Sequence, residues 1–190
     1  MKTETGQVIF ILAVLLMILL LFLAVLIDGA RLLIEQQEIN RALDAAGKAG
    51  LIVAGDQMVT MAIAGQTAAA SITPSATSTG STPNPNPTAT PQPDDFYGWL
   101  TDENLQTLVA PPMQTKVVTH ALEFLEKNGL GLDNPDVTDI RVSYPGGTQS
   151  GDSTITVLLE LDRRVVILFG RILAINQGTL SGKSKQTIPQ

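Results

Sequence analysis

From Val8 to Ile27 the chain reads VIFILAVLLMILLLFLAVLI, an unbroken apolar run without a charge, a Pro or a Gly. As an α-helix it measures about 30 Å, the thickness of a bilayer's hydrocarbon core. Val8, Ile9, Phe10, Leu15, Leu20, Phe22 and Ile27 make it apolar on every side. That pattern belongs to a helix surrounded by lipid or by like helices. A secretory signal peptide is the competing reading, but its apolar stretch is shorter, about 7–15 residues, and ends at a small-residue cleavage site. Here the nearest such site, Asp28-Gly29-Ala30, opens on an Asp. The expectation is a retained single-pass anchor with a short cytoplasmic stub and the remainder of the chain outside the cell membrane.

Beyond Ile27 the apolar pattern becomes a stripe. Leu32, Ile39, Leu43, Ala46, Gly50 and Val53 recur at spacings of three, four or seven, one face of a helix. Asp28 with Arg31, Glu38 with Arg41 and Asp44 with Lys48 are spaced for ion pairs along that helix, each worth about 0.2–0.5 kcal/mol. Ala42, Ala46 and Gly50 form a ridge of small residues that admits a neighbouring backbone, although alanines also serve simply as good helix formers. Gly47, Gly50, Gly55 and Gly65 weaken the distal part by about 1 kcal/mol each relative to Ala. One long helix is expected from near Thr5 to between Gly55 and Ala70.

Ser71 to Asp95 holds six prolines among Ser, Thr and Asn, with almost nothing apolar to bury. Packing cannot offset its conformational entropy, so an extended segment is expected, either a plain spacer or an O-glycosylated extracellular stalk. The chain thus divides into 1–70, the span and its continuation; 71–95, the linker; and 96–190, a small α+β head.

Within the head, Phe96, Tyr97 and Trp99 precede Thr101-Asp102-Glu103-Asn104, an N-cap followed by an acidic first turn, which opens a short helix to about Val109. Pro111-Pro112 are expected to break it. Val117, Ala121, Leu122 and Leu125 share a face of a helix from Lys116 to Asn128, stopped at Asn128-Gly129. Ile140, Val142 and Tyr144 alternate, as do Ile155, Val157, Leu159 and Leu161; a Gly-rich turn over 145–152 joins these two strands into an antiparallel hairpin. Val165 to Ile175 ends the second strand and starts a short helix around Phe169–Ala174. Asn176-Gln177-Gly178 reads as a turn, and Thr179 to Ile188 as a last strand whose Lys183 and Lys185 guard an edge. The fold class is α+β.

Composition narrows the chemistry. The net charge of −6 over 190 residues, with no basic stripe, argues against nucleic acid as a partner. The absence of Cys removes thiolate metal sites, disulfides and a Cys nucleophile. His120 is the sole histidine, mid-helix and without a partner ligand, so it reads as structural. Gly129 and Gly131 follow a helix instead of opening one, so they cradle no phosphate. Asp152, Thr154 and Thr156 share the spacing of a metal-adhesion motif, but they follow a Gly-rich turn, with the threonines on a strand's outward face; a plain strand is the reading adopted. Arg163-Arg164 could form an anion clamp, but a solvated strand end is the reading adopted. No catalytic residue set, cofactor, metal or small-molecule substrate is expected. Asp28, at the edge of the span, must be paired or solvated: Arg31 lies one turn on, and the membrane interface supplies water. Glu4 is placed to meet a neighbouring chain's N-terminus in a polymer.

Taken together, these residues resemble the TadE/TadG-like group of Flp (tight adherence) pilus-assembly proteins. Gly6-Gln7 precedes the span, and Asp28-Gly29-Ala30-Arg31 follows it, similar to the group's D-x-G-R. Gln36-Gln37, Asn40 to Ala46 and Ala49-Gly50 are similar to its Q…N-A-x-D-A-A-A-x-A-G helix. Leu161 to Val166 and Leu168 to Leu173 are similar to its strand followed by F-x-R-x-L. Both ends of the chain carry the resemblance, with the Pro/Thr tract as an insertion. It implies a pilin-like or pseudopilin-like envelope protein, with membrane lipid, sister copies or other pilus components as partners. One departure stands out: where a prepilin-type segment carries Glu, five residues on from Gly6, this chain has Ile11. Cleavage at Gly6 and polymerisation through such a Glu are therefore not implied. A membrane-tethered extracellular binding module outside any filament is the alternative.

Overall fold

The computed structural model describes residues 4–71, 100–145, 155–170 and 176–188, with side chains of the first helix from 7 to 68. Most of the Pro/Thr tract, the Phe96–Trp99 cluster, the Gly-rich turn beyond Pro145 with Asp152 and Thr154, and most of the expected Phe169–Ala174 helix lie outside the described residues. The fold is α+β. Helix α1 (Glu4–Ser71) is followed by α2 (Asp102–Val109), α3 (Pro111–Lys127) and strands β1 (Val137–Ser143), β2 (Thr156–Val166) and β3 (Gln177–Thr187). The strands form one antiparallel sheet in the order β1-β2-β3.

Local chemistry accounts for most element ends. The Thr101 hydroxyl accepts from the Asn104 amide at 3.2 Å and caps α2. Pro111 and Pro112 end α2 at Val109, as expected, with Ala110 extended before them, and they also begin α3, which starts five residues before the expected Lys116. At the first turn a missing N–H leaves no hydrogen bond unmade, and the fixed φ of proline suits a helix start. Gly129, at φ +72°, stops α3, with the Leu130 amide donating back to the Leu125 carbonyl at 2.9 Å. β3 begins at Gln177, which pairs with Val166, and Gly178 pairs with Val165. The expected Asn176–Gly178 turn is therefore strand from Gln177 onward, because β2 runs on to Val166 and supplies ladder partners.

A single core joins α1 to the head. Ile39, Leu43, Ala46, Ala54 and Met58 of α1 cluster with Leu108, with Met113, Val117, Ala121 and Leu125 of α3, and with Val157, Leu159 and Leu161 of β2. The α1 stripe continues through Ala54 and Met58, while Leu32 and Val53 are only half-buried. β3 offers α1 small residues: Gly182 and Ser184 are buried there. A Cβ on Gly182 would lie 2.5 Å from Ile39 Cγ2 and 2.7 Å from Leu43 Cδ1, so glycine sets how closely helix and sheet approach. A polar seam runs beside this contact. Gln36 Nε2 donates to the Ser181 carbonyl at 3.0 Å, and the Asp44 carboxylate accepts from Ser184 Oγ at 2.6 Å and Gln186 Nε2 at 3.1 Å. Asp44 thus bonds β3 and not Lys48; among the described residues no ion pair joins Glu38 to Arg41 either. The opposite face of the sheet is charged, with Lys183 paired to Glu160 and Arg141 to Asp139.

Gly182→Ala is expected to cost about 1–3 kcal/mol by overpacking. Gly55→Ala, where a Cβ would meet nothing within 4 Å, should instead gain up to about 1 kcal/mol of helix propensity. Denaturant unfolding of the detergent-solubilised chain measures both; equal shifts for the two variants would refute the close approach at Gly182.

Tyr144 closes the far end of the core. Its hydroxyl donates to the Leu108 carbonyl at 2.8 Å, in the interior. Burial pushes its phenol up from 10.0 to about 12. The folded state therefore keeps this proton where the unfolded chain has lost it. Its contribution to stability is whole below pH 10.0 and is lost as pH rises toward about 12. Tyr144→Phe should cost about 1 kcal/mol at neutral pH and flatten the alkaline fall in stability. Unfolding midpoints measured across that window, compared with wild type, check this.

Candidate functional site

The N-terminal part of α1 stands outside the core. Val8, Ile9, Phe10, Leu15, Leu20, Phe22 and Ile27 are all exposed, as are the other large side chains between them. α1 is the one helix among the described residues long and apolar enough to cross a membrane; by length and composition alone, a signal sequence would also fit. Two residues on one face, four apart, break the pattern of exposure: Ala24 and Asp28, each 8% exposed.

Asp28 is covered because a turn directly after β2, residues 167–170, docks on it. The Leu168 amide donates to Asp28 Oδ1 at 3.1 Å and the Phe169 amide to Oδ2 at 2.8 Å. The carboxylate receives two backbone donors that offset its burial, and the turn's amides gain an anionic acceptor. Neither the Arg31 partner nor an interfacial solvated state describes it. Arg31 bonds Glu35 instead, Nε to Oε1 at 2.8 Å, on the exposed side of the helix. Sequence alone held a partial signal here: Asp28 and Phe169 both fall within the segments singled out at opposite ends of the chain, but nothing in their spacing said that they meet.

The small-residue ridge faces the protein's own head. Ala46 and Gly50 are buried and Ala42 is half-buried. A Cβ on Gly50 would meet the Val117 carbonyl oxygen at 3.1 Å and Ala121 Cβ at 3.4 Å, so α3 occupies the place that the ridge leaves for a backbone. Glu4 is the first residue of α1, and its side chain lies outside the described residues.

A second feature lies between α1 and the α3 stop. Glu38, Arg41, Ala42 and Ala45 of α1, Phe124 and Asn128–Leu130, and Arg163 of β2 line an open cleft of about 450 Å³. Arg163 falls on the same strand face as Leu161 and Val165, both buried, so it is not a solvated strand end. Its Nε is buried without a hydrogen-bond partner. Arg164 points the other way and is exposed. His120 is exposed on α3, with Nδ1 3.4 Å from Glu123 Oε2. Thr156, expected to face outward, is buried, and its hydroxyl lies 3.2 Å from that of Thr187 in the facing strand. Among the described residues no group of three His, Asp or Glu could hold a metal ion.

No family model, curated protein or solved structure matches the chain. Hydrogen bonds to a charged acceptor contribute about 1.5–3 kcal/mol each. Asp28→Ala should accordingly raise hydrogen exchange at the Leu168 and Phe169 amides by roughly 10-fold or more, while amides at the centre of β2 keep their protection. Unchanged exchange at both amides would rule out the contact.

Proposed function

We propose that this chain is a non-enzymatic, pilin-like or pseudopilin-like structural component of a Tad/Flp-type pilus or a related surface filament. Val8–Ile27 holds it in the cell membrane, or packs it among sister helices in a filament core, with the C-terminal part outside. Its partners are membrane lipid and sister copies or other pilus components, not nucleic acid or a small-molecule substrate. The observation that carries this reading is the division of α1: one continuous helix, apolar and uncovered over its first part, is a core element of the head over its second. An apolar surface of that size requires lipid or like helices around it. Retention of the segment is supported by the Asp28 contact, since cleavage after Ala30 would cut α1 and separate Asp28 from both amide donors. The resemblance to the TadE/TadG-like group adds support from the residues at both ends of the chain. The orphaned Arg163 in its cleft favours, as a second reading, a membrane-tethered binding module outside any filament.

Shearing of cells that express the full chain separates the two. A structural component appears in the sheared filament fraction or co-purifies with its assembly machinery; a tethered module stays in the membrane and dissolves in detergent as monomers. Leu20→Arg, costing about 2.5–3.5 kcal/mol at mid-span, should deplete the chain from both membrane and filament fractions. Wild-type-like recovery of that variant from the membrane would count against the anchor.

A further inference from the structure

The turn that docks on Asp28 leaves two large apolar side chains uncovered: Leu168 is 52% exposed and Phe169 38%. Their backbone amides bind the carboxylate of the residue that directly follows the apolar run. A helical side chain leans toward the N-terminus of its helix, so the Asp28 carboxylate reaches back over the last turn of that run. The burial of Ala24 carries the covered face one further turn, about 5.4 Å, into the apolar segment. Leu168 and Phe169 are thus held at the height where hydrocarbon gives way to headgroups, if height is counted along α1.

We propose that this turn is a second membrane contact, with Leu168 and Phe169 inserted into the headgroup–acyl boundary of the leaflet that Ile27 leaves. The proposal rests on the reading that Val8–Ile27 spans a bilayer. The occupant is lipid because lipid surrounds the helix at this height, and the exposed pair continues the apolar surface of the span. Phenylalanine and leucine on an interfacial surface bury their side chains at about 5–10 Å depth. Asp28 makes that depth tolerable: it satisfies two backbone N–H groups that would otherwise enter a region poor in water, and they satisfy it. The head shares one core with α1, so two points of contact, the span and the turn, set the tilt of α1 in the bilayer.

The test uses the full chain in phosphatidylcholine/phosphatidylglycerol vesicles, with Trp99→Phe removing the native indole. Single reporters are then placed as Phe169→Trp, Leu168→Trp, Leu20→Trp and Leu132→Trp, the last at an exposed position after α3. Lipids brominated near the headgroup end of the acyl chain should quench Phe169→Trp and Leu168→Trp at least about twofold and leave Leu132→Trp unchanged. Lipids brominated deep in the chain should quench Leu20→Trp. Adding Asp28→Ala should weaken quenching at position 169 and not at position 20. Quenching at position 20 with none at 168 and 169 overturns the second contact while leaving the anchor intact. Loss of quenching at position 20 as well removes the anchor, and the proposal with it. Unquenched but blue-shifted, concentration-dependent emission from both turn reporters assigns the patch to a second copy and also overturns the proposal. Circular dichroism of each variant confirms that the fold is retained, and the two turn reporters stand in for each other if one is not.

Discussion

The burial of one stripe of α1 is the contact on which the remaining structure depends. Among the described residues, α2, α3 and the three strands share one core with α1. Ile39 and Leu43 fill the space over β2 and β3, and Ala46 and Gly50 let α3 settle against the same helix. The three-stranded sheet has one charged face and buries the other against the helices. The helix supplies Ile39, Leu43, Ala46, Ala54 and Met58 to the core and at the same time carries the apolar run away from it.

That arrangement gives one helix two different surroundings within the structure. Its first part has no protein neighbours over most of its surface; its second part has water on one side and the core on the other. The change falls at Asp28. There the chain uses a carboxylate not as a surface charge but as an acceptor for the backbone of a turn that is distant by some 140 residues in sequence. The head is therefore joined to α1 by apolar packing in the middle of its second half, by the Asp44 and Gln36 seam beside it, and by Asp28 at the point where the apolar run ends.

The long helix was legible because its signals are local and repeat: an uninterrupted apolar run, then a stripe with helical spacing and no Pro before Pro74. Helix α2, the α3 stop and the β1–β2 hairpin were legible for the same reason. The errors fell where a residue's local habit was overruled by its partner. Pro111-Pro112 were read only as the stop of α2, and at a first turn they also start α3. Gly178 is turn-forming by composition, yet Val165 across the ladder holds it in β3. Arg163 looked solvated because it stands beside Arg164, and the alternation of β2 decided which of the two faces α1.

What the sequence by itself determined was the class of each segment: which stretch is apolar on every side, which are amphipathic, and which residue types, such as Cys, are absent. These follow from side-chain polarity and period along the chain, which are local properties. Only the tertiary structure decided what each face meets. The small-residue ridge admits α3, Asp44 bonds β3, and Asp28 bonds a turn between β2 and β3. Such pairings depend on how far the sheet brings distant residues back along the helix, and no spacing in the chain encodes that distance.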